Sequence, residues 1–372
     1  MKGHGLTAPR TLLLAVTVFA AAAMTCAVAT TFCSPRSDRD IVLDSFAEAI
    51  PLSCSLSTSL EQFDIFEPKN VFPFNEWLIV NNYGGDHAID ILNPSSGEKI
   101  ECFRRGRGPG EVLNVGSVQL HGGILYVFDL GRQIYYALDL EASIKSRKQV
   151  LKGETRLLDD GSPVSPLNGP FILYKHGNGI LATGLFSDGT WFGSLNEAKG
   201  IASSIPLIDF KSTRNMSTLE NSAFQLSSSF SVSPDGRQGI CAMLACGAFS
   251  IFDISGNALK ERLRTIYYEP KMLPSPGEQI TPGSTPDNIR AFYAVQSTDE
   301  EIYLLFSGRE AGGIDIPSYE CNHLLVYDWD GNPIRRYELE HPITSIHLQA
   351  GRIYGVSTFP TAAYYVYELP QG

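Results

Sequence analysis

The chain has 372 residues, 43% hydrophobic and 19% charged, a globular composition with room for one large all-β ring or two smaller domains. Its formal net charge of -11 excludes a broad basic surface for nucleic acid, which needs clustered Lys and Arg to neutralise phosphates. Beyond the N-terminus no apolar run approaches the length of a membrane span.

The first 25 residues predict an export signal: Lys2 and Arg10 make a basic start, and residues 12–23 form an apolar stretch shorter than a comfortable membrane span. Two processing readings follow. Cys26 after "AAAMT" matches a loose lipobox, so that a lipid on Cys26 would tether the protein through the polar stretch "SPRSDRD" at 34–40. Alternatively, "AVA" at 27–29 is an A-x-A cleavage site that leaves no anchor. Residues 26–50 read as a tether and residues 51–372 as the folded domain. Cys54, Cys102, Cys241, Cys246 and Cys321 show no C-x-x-C spacing and read as small buried hydrophobes.

From there one unit keeps returning: an apolar strand, a short polar turn, a second strand. It occurs at 88–103, 134–150, 248–263 and 324–339, more weakly at 189–206, and in truncated form at 364–370. Ser-Gly at 96–97, Ser-Gly-Asn at 255–257 and Asp-Gly-Asn at 330–332 supply the positive φ of tight hairpins. Each copy follows further strands, at 76–82, 122–130, 178–186, 237–245, 300–308 and 351–359. The spacing predicts six units of roughly four strands and about 50 residues each, with insertions near 265–290 and 309–322. A lone four-stranded sheet exposes two apolar faces, and stacking six around an axis buries them, so the fold class expected is an all-β six-bladed β-propeller of antiparallel blades. The last unit runs out after three strands, and residues 56–66 are expected to supply its outer strand and close the ring.

Residues 106–143, with a Gly-Pro-Gly-acidic opening and an "LYVFD" strand, resemble an NHL-type propeller repeat. "VSPDGRQGI" at 232–240 resembles the Ser-Pro-Asp-Gly hairpin of TolB-like propellers. Together with 300–309 and 326–339, these motifs make the chain similar, over roughly residues 60–370, to the TolB-like six-bladed propeller lipoproteins of Bacteroidetes-type bacteria. The resemblance implies an exported, often lipid-anchored propeller. It implies little about chemistry, because a shared fold does not supply a function.

The glycine-rich "FRRGRGPGEV" at 103–112 lacks the Gly-Lys-Ser/Thr of a P-loop and fails G-x-G-x-x-G, since Glu111 takes the sixth place. It reads as a crossing between blades, with Arg105 and Arg107 either lining an anion site or tied up by Glu111. A second candidate is "TPDNIRAFYAVQ" at 285–296, which offers Arg290 and Tyr293 for binding or simply starts a strand with one ring buried. "STLENSAFQLSSSFSVS" at 217–233 reads as loop then strand. Histidines lie in different units without H-E-x-x-H or H-x-H, no G-x-S-x-G occurs, and Asp235 in "SPDG" reads as a turn former.

The expected function is a non-enzymatic ligand- or protein-binding module of the bacterial envelope, without cofactor. Its expected partner is an envelope protein or a small ligand, and membrane contact is expected only through the N-terminal lipid. The alternative is a propeller hydrolase or lyase for a small ester, lactone or glycan, with a metal held at the axis by residues that chain order does not reveal.

Overall fold

Short apolar runs divided by residues that tolerate positive φ fold back as hairpins rather than continue as helices. Gly97, Gly256 and Gly331 have φ of 75°, 61° and 79°, closing the turn between the third and fourth strands of three blades. The structure, a computed structural model, describes residues 36–157, 169–177, 179–196, 200–276 and 280–370. The export segment and Cys26 lie outside the described residues.

Two strands precede the first blade: β1 (Ile50–Leu52) and β2 (Cys54–Ser59). Blade one is β3 (Pro68–Phe74), β4 (Trp77–Asn82), β5 (His87–Asn93) and β6 (Glu98–Arg104). Blade two is β7 (Val115–His121), β8 (Ile124–Asp129), β9 (Ile134–Asp139) and β10 (Leu151–Arg156). Blade three is β11 (Pro170–His176), β12 (Gly179–Gly184), β13 (Thr190–Leu195) and β14 (Ile201–Pro206). Blade four is β15 (Ser228–Val232), β16 (Gln238–Met243), β17 (Ala248–Ser255) and β18 (Ala258–Ile266). A small hairpin, β19 (Met272–Leu273) and β20 (Gly283–Ser284), sits in the insertion before blade five. Blade five is β21 (Phe292–Ser297), β22 (Glu301–Phe306), β23 (Cys321–Asp328) and β24 (Pro333–Ile343). Blade six is β25 (Ser345–Gln349), β26 (Arg352–Ser357) and β27 (Ala363–Glu368). Each blade is an antiparallel meander in chain order.

The ring closes as expected. β2 pairs antiparallel with β27, Cys54 opposite Tyr367 and Ser59 opposite Ala363, as the fourth strand of blade six. β1 adds a fifth strand to blade five, parallel to β24. Beyond β2, Leu60 and Ile65 are fully buried in a cluster shared by blade one (Val71, Leu78, Val80) and blade six (Val356, Tyr364, Val366). The other interfaces follow the same logic. Between blades three and four, the Phe192 ring lies 5.4 Å from Phe230 and 5.0 Å from Phe252. Each fully buried ring of this kind contributes roughly 1.5–3 kcal/mol relative to leaving it in water.

Two expectations are corrected. Within the unit at 134–150 the turn is a helix, α2 (Leu140–Ser146), after the earlier α1 (Asp38–Leu43). The Asp139 side chain caps α2 by accepting from the Ala142 amide. The stretch at 217–233 is not loop then strand: it opens with α3 (Thr218–Gln225), held by a capping box in which Ser217 and Glu220 satisfy each other's backbone amides. The contiguous folded unit starts at Asp38, inside the stretch the sequence reads as tether. There Val42 and Leu43 of α1 pack into the blade three to five core, and Phe46 meets Tyr327 edge-on at 5.1 Å.

Candidate functional site

The glycine-rich crossing is built as a braced turn. The Glu111 carboxylate accepts from the Gly108 amide at 2.7 Å. A Cβ on Gly106 would meet that carboxylate and push it aside, and Gly110 holds φ at 73°. From blade two, Arg132 donates to the carbonyls of Gly108 and Glu111 at 3.1 and 2.9 Å. Buried Asp129 accepts from the amides of Leu113, Asn114, Gly131 and Arg132. Gln149 Nε2 donates to the Gly110 carbonyl at 3.0 Å.

Of the two readings left open for Arg105 and Arg107, pairing with Glu111 is not found among the described residues. Arg105 points the other way. Its Nε donates to the Gly85 carbonyl at 2.8 Å, and its Nη2 donates to the carbonyls of Asn82 and Tyr83. The carboxylate is used by a loop amide, and the guanidinium spends its donors on three carbonyls of the turn between β4 and β5. Arg107 is exposed.

The turn that Arg105 holds presents Tyr83 to a cavity of about 800 Å3, lined by Phe66, Glu67, Pro68, Lys69, Asn70, Tyr83, Tyr293, Tyr319, Thr344 and Thr358. It lies on the face where outer strands cross to the next inner strand, between blades one, five and six. Among the described residues, Phe66, Tyr83, Phe171 and Tyr319 are the exposed Phe and Tyr side chains, and all but Phe171 line this cavity. Their exposures, 60%, 46% and 44% for Phe66, Tyr83 and Tyr319, are large for rings that water disfavours, and their convergence is what a binding mouth requires.

Neighbouring groups brace the mouth. Lys69 Nζ sits 3.6 Å from the centre of the Tyr83 ring; burial, and then the nearby Arg105 guanidinium, lower its pKa. Fully buried Glu320 follows Tyr319 and accepts from the Thr358 amide and hydroxyl at 2.8 and 3.0 Å and from the Ser357 hydroxyl at 2.9 Å. Ser307 donates to the Ser318 carbonyl and Arg309 to the Glu320 carbonyl, so the loop carrying Tyr319 is held on both sides of that ring.

Beneath the mouth runs an axial channel of about 250 Å3, lined by the inner strands of all six blades. Asn70, Tyr293 and Thr344 line both spaces, so mouth and channel share a wall. Ser117, Gln119, Ser229, Gln296 and His347 face the channel, and its lining includes no Asp, Glu, Lys or Arg. Burial holds the His347 imidazole neutral, with its pKa down to about 4. Among the described residues no group of three or more His, Cys, Asp or Glu could hold a metal ion.

Of the residues singled out from sequence, Tyr293 lines the cavity, and burial pushes its phenol up to about 12. It follows the fully buried Phe292 at the start of β21, so the stretch starts a strand with one ring buried. Arg290 is not a lining residue; its backbone pairs with Arg309 and Gly308 next to that strand. Asp235 accepts from the Ser233 hydroxyl and the Arg237 amide, as a turn former does. Phe66, Tyr83 and Tyr319 escaped sequence reasoning. Each stands alone in its own loop, and the legible signal was the alternate polar residues of the inner strands, such as Ser117 and Gln119 in "VGSVQLH".

Comparison with solved structures gives matches at low identity. A member of the DUF4221 family from Bacteroides vulgatus superposes with a TM-score of 0.54 at 10% identity, covering 85% of this chain and 97% of that one. The Cps50 (Swd1) β-propeller domain from Myceliophteria thermophila gives 0.49 at 11% identity, covering 86% and 100%. BamB from Moraxella catarrhalis gives 0.40 at 11% identity, covering 80% and 71%. No curated protein sequence matches the chain. At the level of sequence, residues 46–350, which hold blades one to five and the first strand of blade six, match a family model, and the chain belongs to that family, TolB-like 6-blade propeller-like.

Proposed function

We propose that this protein is an exported, non-enzymatic binding propeller whose ligand enters the aromatic mouth between blades one, five and six. The observation that carries this reading is the convergence of three exposed rings, Phe66, Tyr83 and Tyr319, on one cavity that adjoins the axial channel. The rings come from three separate loops, each fixed by its own hydrogen bonds, so the surface is preorganised and little ordering entropy opposes binding. Export rests on the basic and apolar N-terminal residues, and lipidation of Cys26 would hold the propeller at an envelope membrane.

The test is native mass spectrometry and thermal denaturation of the protein after incubation with envelope extracts. A bound species and a raised Tm are expected for the wild type, and both are lost in a Phe66→Ala/Tyr83→Ala/Tyr319→Ala variant. Equal capture by the triple variant would refute the mouth. Turnover of a small ester, lactone or glycan by the wild type would replace the binding reading with the hydrolase one.

A further inference from the structure

We infer that the ligand of this mouth is a neutral, hydroxyl-rich oligosaccharide, an inference that rests on the binding reading above. The channel presents amides, hydroxyls and one imidazole, and its lining has no charged side chain. A formal charge brought down the axis would lose its water without gaining a counter-ion, which costs several kcal/mol in a low-dielectric site. The part of the ligand that reaches the channel is therefore uncharged.

It must also form hydrogen bonds. Gln119 is used on Lys175 in both directions, its Oε1 accepting from the amide at 2.7 Å and its Nε2 donating to the carbonyl at 2.8 Å. Ser117 is used in the same way on Leu173. Asn70 gives its carbonyl to Asn81 and keeps its amide donors. Gln296 lines the channel, and among the described residues its side chain has no hydrogen bond. A sugar hydroxyl donates and accepts at once, which matches such a mixed lining.

The mouth points to the same class. It carries one acid, Glu67, and one base, Lys69, so its formal charges cancel. What remains are the rings of Phe66, Tyr83 and Tyr319 beside Thr344 and Thr358. A pyranose offers an apolar face of C–H bonds to the electron-rich face of an aromatic ring and hydroxyls to the polar rim. At about 800 Å3 the mouth is in the size range of ligand pockets and admits more than a single sugar ring.

The experiment is ¹³C-methyl threonine NMR of the full folded chain, reading Thr344 and Thr358, with calorimetry on the same samples. The probes are the neutral hexasaccharides of glucose, xylose and mannose, hexagalacturonate as the acidic counterpart, a set of uncharged peptides, and the envelope extract. At least one neutral hexasaccharide is expected to move both methyls. Phe66→Ala and Tyr319→Ala should each weaken its binding tenfold or more. Gln296→Leu should weaken it too, at unchanged Tm. If hexagalacturonate or the peptides move the methyls and no neutral sugar does, the oligosaccharide inference is overturned and the binding mouth stands. If nothing moves them, the extract included, both fall.

Discussion

Arg105 and Tyr83 are joined through the backbone and across the ring. The guanidinium donates to the Tyr83 carbonyl and lies 5.9 Å from the centre of the Tyr83 ring. The same side chain binds the carbonyls of Asn82 and Gly85. The crossing between blades one and two is thereby tied to the turn that sets one wall of the mouth, although Arg105 lines no part of it. The arginine of the glycine-rich loop acts as a positioning residue.

Arg105→Lys should therefore not be a conservative change. An ammonium on a flexible stem cannot serve three carbonyls in the plane of a fork. Stability should fall by about 1–2 kcal/mol, and amides 82–87 should exchange faster while blades three and four do not. Urea denaturation and hydrogen exchange measure both. Unchanged exchange at 82–87 would show that other contacts hold the turn.

Gly106 and Glu111 should couple. A Cβ at Gly106 meets the Glu111 carboxylate, so Gly106→Ala must displace it from the Gly108 amide. Gly106→Ala alone should cost about 1–3 kcal/mol. Glu111→Ala should cost about 1 kcal/mol for the lost acceptor. The double variant should be less destabilised than the two costs added, by roughly 0.5–1 kcal/mol or more. Strict additivity in a double-mutant cycle would contradict the steric account.

Ring closure gives a coarser prediction. Deleting residues 50–59 removes β1 and β2, leaving the Tyr365 and Tyr367 strand unpaired on its outer edge and a seam between blades one and six. The truncated chain should lose cooperative thermal unfolding, read by near-ultraviolet circular dichroism. A melt like that of the intact chain would mean that β2 is dispensable for the ring.

The repeat was legible because each blade restates the same local physics: alternating apolar positions around a turn that tolerates positive φ. The two helices were obscured by their shortness, seven residues in α2 and eight in α3, about two turns each; for α3 the signal was present in Ser217 and Glu220, three positions apart. The mouth was not legible for a different reason. Phe66, Tyr83 and Tyr319 are far apart in sequence, and their meeting depends on the ring closing through β2, a long-range event that no local pattern encodes. Tyr293 was found because its arginine and aromatic neighbours draw the eye. Its place at the junction of mouth and channel follows from its position at the start of an inner strand.

Three histidines predict the response to acid. His323 and His347 are held neutral, with pKa values down to about 4, and His176 is lowered as well. For His323 burial is the main cause, followed by the charges of Arg39, Arg336 and Arg309; for His347 and His176 burial also leads. An unfolded histidine titrates near pH 6.5, so between about 6.5 and 4 the unfolded chain binds protons that the folded chain refuses. Stability from these groups is thus complete above pH 6.5 and declines as pH falls through that window. Arg39 Nη2 lies 3.2 Å from His323 Nε2. A guanidinium only donates, so Nε2 accepts, and protonating it replaces a hydrogen bond with two facing cations. Asp90 and Glu320, whose pKa values burial raises, act in the opposite sense, taking up protons in the folded state first. The measurement is the urea midpoint from pH 8 to 4.5 for the wild type and for His323→Gln, in which the amide can still accept from Arg39. The wild type should lose stability across this range, with a contribution of up to about 3 kcal/mol from His323, and the variant should show a shallower decline. Equal slopes would assign the acid response to groups other than His323.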